Sequence, residues 1–109
     1  MPYDEALNGR IKKIISDWKG TADKKMFGGV CHLINGNMFC GVLQEFLILR
    51  LGQQTSEDAL KLPYVRPFDI TGKPMKGWVM VTEEGYKTDK DLRAWLKQAK
   101  NFTKRLPAK

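Results

Sequence analysis

The chain has 109 residues, 42% of them hydrophobic and 28% charged, with a formal net charge of +7. That length fits one domain and not two, and lets roughly 65% of the unfolded surface be buried without a disulfide or metal. No apolar run approaches the ~20 residues of a membrane helix, and the N-terminus lacks the charged-then-apolar pattern of a signal peptide. The expectation is a cytoplasmic protein whose Cys31 and Cys40 stay reduced, with no membrane contact.

Charge is unevenly placed. Eight basic residues lie between Lys87 and Lys109 against two acids, Asp89 and Asp91, an excess of six, while the rest of the chain is nearly neutral. Such an excess attracts nucleic acid, acidic proteins or anionic surfaces, or serves as a solvated face.

Residues 4–19 read as an amphipathic helix. Leu7, Ile11, Ile14, Ile15 and Trp18 form one stripe at helical spacing. Asp4 suits the N-cap and Gly20 the stop. Three strands are expected next, near 29–34, 37–42 and 46–51. Asn35-Gly36 between two apolar runs is a strong hairpin signal, because both residues tolerate left-handed backbone angles. A regular two-residue turn would set Ile34 against Asn37, Leu33 against Met38, His32 against Phe39 and Cys31 against Cys40. Alternation then places Cys31, Leu33, Met38, Cys40 and Val42 on one apolar face, with His32 and Phe39 on the other. The third run, Phe46-Leu47-Ile48-Leu49-Arg50-Leu51, is apolar on both faces apart from Arg50 and reads as central.

A short helix is expected from Thr55 to about Leu62, with Thr55 and Asp58 as a weak capping box and Pro63 as the stop. Residues 65–69 read as an edge or irregular strand because of Pro67. Residues 71–74 read as loop, 77–82 as a strand, and 83–85 as a turn. The last helix spans about 89–105, capped by Thr88, with Leu92, Trp95, Leu96, Ala99, Phe102 and Leu106 as its buried stripe.

Two blocks of sequence are distinctive in combination. The first is Lys24-Lys25-Met26-Phe27-Gly28-Gly29, continued by Asn35-Gly36-Asn37-Met38 and Cys40-Gly41-Val42. The second runs from Arg66-Pro67-Phe68-Asp69 through Gly72-Lys73-Pro74-Met75-Lys76-Gly77-Trp78-Val79, with Leu92 and Trp95 following. With Tyr3-Asp4-Glu5-Ala6-Leu7 ahead of them, they resemble the N-terminal domain of the TfoX/Sxy competence-regulator family over nearly the whole chain. The resemblance implies a two-layer α+β domain of the secretion-chaperone-like (YgaC/TfoX-N-like) kind. The order expected is α-β-β-β-α-β-β-α around an antiparallel five-stranded sheet. It also implies a regulatory role with a protein partner, such as a transcription factor. Full-length competence regulators carry a second, C-terminal domain; a chain ending at Lys109 resembles the N-terminal half standing alone.

Candidate functional residues fall into three groups. Lys90, Arg93, Lys97, Lys100 and Lys104 recur at steps of three and four on the last helix, within roughly 80° of arc opposite its buried stripe. They suit contacts to phosphates or to an acidic partner, or form a plain solvated face. No aromatic residue is interleaved on that ridge for base stacking, and no helix-turn-helix is apparent. Lys24, Lys25, Gly28, Gly29, Arg50, Arg66, Lys73 and Lys76 belong to the segments that carry the resemblance. Gly28-Gly29 precedes a strand rather than a helix, so a bulge or close backbone approach is expected rather than a phosphate cradle. Arg50 interrupts an apolar strand. It either pairs with Asp69 in the interior or emerges with Arg66 on an open sheet face. Cys31 and Cys40, if directly opposed, admit a reversible disulfide, but two buried thiols are the favoured reading.

One histidine and scattered carboxylates give no acid–base pair and no zinc spacing. No catalysis, cofactor or metal is therefore expected. The leading expectation is a non-enzymatic regulatory or interaction domain. Direct nucleic-acid binding through the last helix is the alternative, and a small anionic-ligand domain around Arg50, Arg66 and the glycines is the third. Self-association through an exposed sheet edge or face remains open.

Overall fold

Asp4 opens the fold by capping helix α1 (Glu5–Ile15): its carboxylate accepts from the backbone N–H of Ala6 and Leu7 at 3.0 and 3.1 Å. This satisfies donors the first turn otherwise leaves unpaired. The computed structural model describes residues 3–26, 28–69 and 75–107, so Lys73 and the 71–74 loop expectation lie outside the described residues. After α1 come β1 (Thr21–Met26), β2 (Gly29–Ile34), β3 (Asn37–Leu43), β4 (Phe46–Arg50), α2 (Gln53–Ala59), β5 (Val65–Pro67), β6 (Trp78–Val81), α3 (Glu83–Tyr86) and α4 (Asp89–Thr103).

The strands form one antiparallel sheet in the order β1-β2-β3-β4-β6-β5. The α+β class is as the sequence indicates, but the sheet has six strands rather than five. The additional one is β1, Thr-Ala-Asp-Lys-Lys-Met, with almost no apolar signal. It is an edge strand. Edge lysines discourage pairing with foreign chains, so a polar edge strand has a physical reason. β4 lies inside the sheet and β5, which contains Pro67, lies at the other edge. The expected 83–85 turn is the one-turn helix α3.

Asn35 (φ 53°) and Gly36 (φ 83°) make the β2–β3 turn with both residues left-handed. Ile34 pairs with Asn37 and Leu33 with Met38, as a regular hairpin requires. The register then slips by one: His32 pairs with Cys40, Cys31 with Gly41 and Val30 with Val42. Phe39 is the extra residue of a β-bulge. The expected His32–Phe39 and Cys31–Cys40 pairs are therefore not formed. The bulge also reverses the alternation of β3, so Cys40 and Val42 join a face different from that of Cys31, Leu33 and Met38.

The core lies on the face of Val30, Ile34, Cys40, Val42, Leu47, Leu49, Val79 and Val81. Leu7, Ile11 and Ile15 of α1, Ala59 of α2, Tyr86 of α3, and Leu92, Trp95, Leu96 and Ala99 of α4 pack there. All four helices thus cover the same sheet face. Each fully buried Leu, Ile, Val or Phe contributes about 1.5–3 kcal/mol, so this layer carries most of the apolar driving force. His32 points into it and is 1% exposed, on the same face as Cys40 and Val42, from which a regular hairpin would separate it.

α2 begins earlier than expected, after Gly52 (φ 85°, ψ 159°), so Thr55 lies inside the helix and does not cap it. A side chain is excluded at Gly52, because an added Cβ would stand 2.6 Å from the Phe102 ring.

Candidate functional site

Helix α4 holds the strongest concentration of charge. Thr88 caps it, its hydroxyl accepting from the Asp91 N–H at 3.1 Å. Its apolar stripe, including Leu92, Trp95, Leu96 and Ala99, faces the sheet. Trp95 Nε1 donates to the Gly85 carbonyl at 2.8 Å, which fixes the helix's rotation against α3. With that face inward, Lys90, Arg93, Lys97 and Lys104 are exposed. Lys100 is the exception. It is half-buried, and its ammonium lies 4.5 Å over the ring of Trp18.

Trp18 follows α1 and is half-buried, tilted against Phe39 at a centroid distance of 6.0 Å. It lines a cleft of about 480 Å³ between α1 and α4 together with Lys13, Ser16, Asp17, Arg93 and Lys97. The tertiary structure therefore supplies an aromatic side chain that the basic ridge of α4 lacks. Nothing local in the sequence announces it, because Trp18 and Lys97 are 79 positions apart.

The residues of the distinctive motifs do not converge on one point. On the sheet face away from the helices, one register row runs Lys24, Cys31, Gly41, Ile48, Met80, Arg66. At about 4.8 Å per strand, Lys24 and Arg66 stand roughly 24 Å apart at opposite edges. Lys25 is exposed and paired with Val30, so it points to the other face. Gly28 is an exposed turn residue with φ 75°. Gly29 is buried where a Cβ would collide with the Val42 carbonyl oxygen. The glycine pair thus serves a turn and a close backbone approach. Arg50 is half-buried on the same face as Arg66, its guanidinium 5.3 Å over the Trp78 ring. Among the described residues no ion pair joins it to Asp69. Arg66 also lines a cleft of about 500 Å³ with Glu45, Thr82, Glu83 and Glu84. Lys76 is exposed ahead of β6.

Groups with intrinsic reactivity are held in the interior. His32 Nε2 lies 2.7 Å from Asn8 Oδ1, and burial holds the imidazole below its ordinary pKa, with Asp23 opposing and Lys12 reinforcing that effect. Burial pushes the Cys40 thiol well up and the Cys31 thiol up, Lys24 opposing the latter. Both cysteines are free, and their side chains leave opposite faces of the sheet. Tyr86 is pushed up to about 12, first by burial and then by Asp4 and Glu83.

Arg10 is a structural residue that the sequence pattern did not single out. Its Nε donates to Asp89 Oδ1 at 3.1 Å and its Nη2 to the carbonyls of Tyr86 at 2.8 Å and Lys87 at 3.3 Å. It ties α1 to the junction of α3 and α4.

No curated protein and no solved structure matches the chain. The family model described as the TfoX N-terminal domain matches residues 13–102, which covers the turn, the bulged hairpin, the sheet and nearly all of α4. With most of its length inside that match, the chain belongs to the TfoX N-terminal domain family.

Proposed function

We propose that this is a non-enzymatic regulatory domain that holds an acidic protein partner on the ridge of α4, in the cytoplasm. One observation carries the reading. Lys90, Arg93, Lys97 and Lys104 all face water from one helix, while His32, Cys31 and Cys40 are packed away from it. An exposed single-sign ridge steers an oppositely charged surface and raises the rate of encounter. Membership of the TfoX N-terminal domain family supports a regulatory role, and the resemblance makes a transcription factor the expected class of partner.

The test is an affinity pull-down from cell extract with the full chain, against a variant in which Arg93, Lys97 and Lys104 are Gln. A partner held by the natural chain, lost by the variant and lost at high salt supports the reading. Equal capture by both chains counts against it.

The cleft favours a second reading. Trp18 beside Lys13, Arg93 and Lys97 offers an aromatic ring next to phosphate-binding cations, the combination used for nucleic acid. Titration with duplex and single-stranded DNA at several salt concentrations separates the two. Nucleic-acid binding requires an affinity that falls steadily as salt rises and that weakens in Trp18→Ala.

A further inference from the structure

β1 forms one margin of the six-stranded sheet and, among the described residues, pairs with β2 alone. The phase of that pairing is fixed at one end, where the Asn35 N–H donates to the Gly20 carbonyl at 3.0 Å. Hydrogen-bonded and non-bonded pairs alternate along an antiparallel ladder. Ala22 and Lys24 therefore turn their backbone groups toward Leu33 and Cys31 of β2, while Thr21, Asp23 and Lys25 turn their N–H and C=O groups outward. Ala22, Asp23, Lys24 and Lys25 are exposed, and neither a proline nor a register shift interrupts the six residues. Among the described residues this margin is a free row of donors and acceptors, the template that an added strand needs.

Charge and shape narrow what can fill it. Lys24 stands on the sheet face away from the helices, and Lys25 and Asp23 on the helix side. Thr21 and Asp23 share that side with their partners Ile34 and His32. They border a cleft of about 200 Å³ between α1 and β1, with the buried Ile15 and His32 as its floor and the exposed Lys12 and Ser16 across from them. Lys12, Lys24 and Lys25 against Asp23 leave a surplus of positive charge on both sides of the margin. A second copy of the chain would bring the same surplus to the seam, which like charges oppose.

We propose that β1 receives an extended acidic segment of a partner protein as a further strand of the sheet. The backbone groups of Thr21, Asp23 and Lys25 supply the ladder. Carboxylates of the incoming strand meet Lys24 on one face and Lys12 and Lys25 on the other. In an antiparallel addition the residue opposite Asp23 stands over the cleft, where a short side chain covers Ile15. Main-chain pairing is indifferent to sequence, so the lysines and the cleft provide the selection. The lysines that discourage indiscriminate pairing at this margin thus admit a strand of opposite charge.

The proposal goes beyond the regulatory reading, which rests on the ridge of α4. Its test is fluorescence anisotropy of the full chain with a short labelled peptide of alternating threonine and glutamate, set against the same peptide with lysine in place of glutamate. The glutamate peptide is expected to bind, and the lysine peptide to bind about tenfold more weakly. On binding, amide exchange read by NMR is expected to slow at Thr21, Asp23 and Lys25, with Ala22 and Lys24 slow already in the free chain. Asp23→Pro removes an outward N–H that β2 does not use. It is expected to abolish binding with an unchanged circular dichroism spectrum. Lys24→Glu with Lys25→Glu is expected to weaken the glutamate peptide and strengthen the lysine peptide, which decides the matter even if Asp23→Pro does not fold. The chain carrying Arg93→Gln, Lys97→Gln and Lys104→Gln is expected to hold the peptide as the natural chain does, so failure of the α4 reading leaves this one standing. Absence of binding or equal binding of the two peptides overturns the proposal. So does binding that survives Asp23→Pro but fails in the α4 variant, or binding that leaves the three outward amides unprotected.

Discussion

His32 of β2 donates through Nε2 to Asn8 Oδ1 of α1 at 2.7 Å, so the first helix is bolted to the sheet by a neutral imidazole in the core. With Asn8 Oδ1 accepting, this contact calls for a proton on Nε2. Lys12 and Asp23 line the cleft beside the ring.

The pH dependence follows from burial. The folded pKa of His32 lies below its ordinary value of 6.5. The unfolded chain therefore takes up a proton that the folded one refuses. Stability from this residue is complete above pH 6.5 and declines as pH falls toward the folded pKa. The melting temperature of the natural chain is expected to drop over that window, and His32→Gln should flatten the drop. An identical slope in both chains refutes the assignment.

Two glycines predict opposite signs. Gly9 sits mid-helix in α1 with nothing within 4 Å of an added Cβ. Gly9→Ala is expected to stabilise by about 0.5–1 kcal/mol through reduced backbone entropy in the unfolded chain. Gly52, at φ 85° and pressed on Phe102, cannot take a side chain without strain. Gly52→Ala is expected to cost about 1–3 kcal/mol. Urea unfolding of both variants measures the difference.

The thiols predict a negative result under oxidation. Cys31 pairs with Gly41 and Cys40 with His32, so no direct bridge spans the hairpin. Mild oxidant is expected to leave the folded monomer without an internal disulfide by mass spectrometry. Alkylation should be slow until denaturant exposes both thiols, whose raised pKa values limit thiolate. Rapid formation of an internal bridge in the native chain contradicts the bulged register.

On α4, position separates structural from free cations. Lys90, Lys97 and Lys104 are exposed, and each replaced by Gln should change stability by less than about 0.5 kcal/mol. Lys100→Ala loses the contact over Trp18 and should cost about 0.5–1 kcal/mol. Thermal unfolding of the four single variants tests the ordering, and tryptophan fluorescence should shift only for Lys100→Ala.

Much of this architecture was legible because the signals are local. Asp4, Thr88 and the apolar stripes of α1 and α4 are read within a turn or two, where backbone donors and helical period act. The Asn35-Gly36 turn is equally local. β1 was not legible, since Thr21–Met26 is a polar edge strand with little apolar alternation. The bulge at Phe39 was not legible either. An extra residue changes which side chains reach the core, and only the helices above the sheet settle which arrangement buries more.

The candidate site divides in the same way. The ridge of α4 follows from residue spacing, and the helix exposes it as spacing requires, except at Lys100. Trp18 beside that ridge, Arg10 on Asp89, and Arg50 over Trp78 join residues far apart in the chain. Sequence by itself determined α1, α4, the hairpin turn, the α+β class and the family, because short-range hydrogen bonding and periodicity write those locally. Only the tertiary structure decided the sheet's sixth strand, its slipped register, the one-turn helix α3 and the burial of His32, because these depend on how distant segments share one apolar layer.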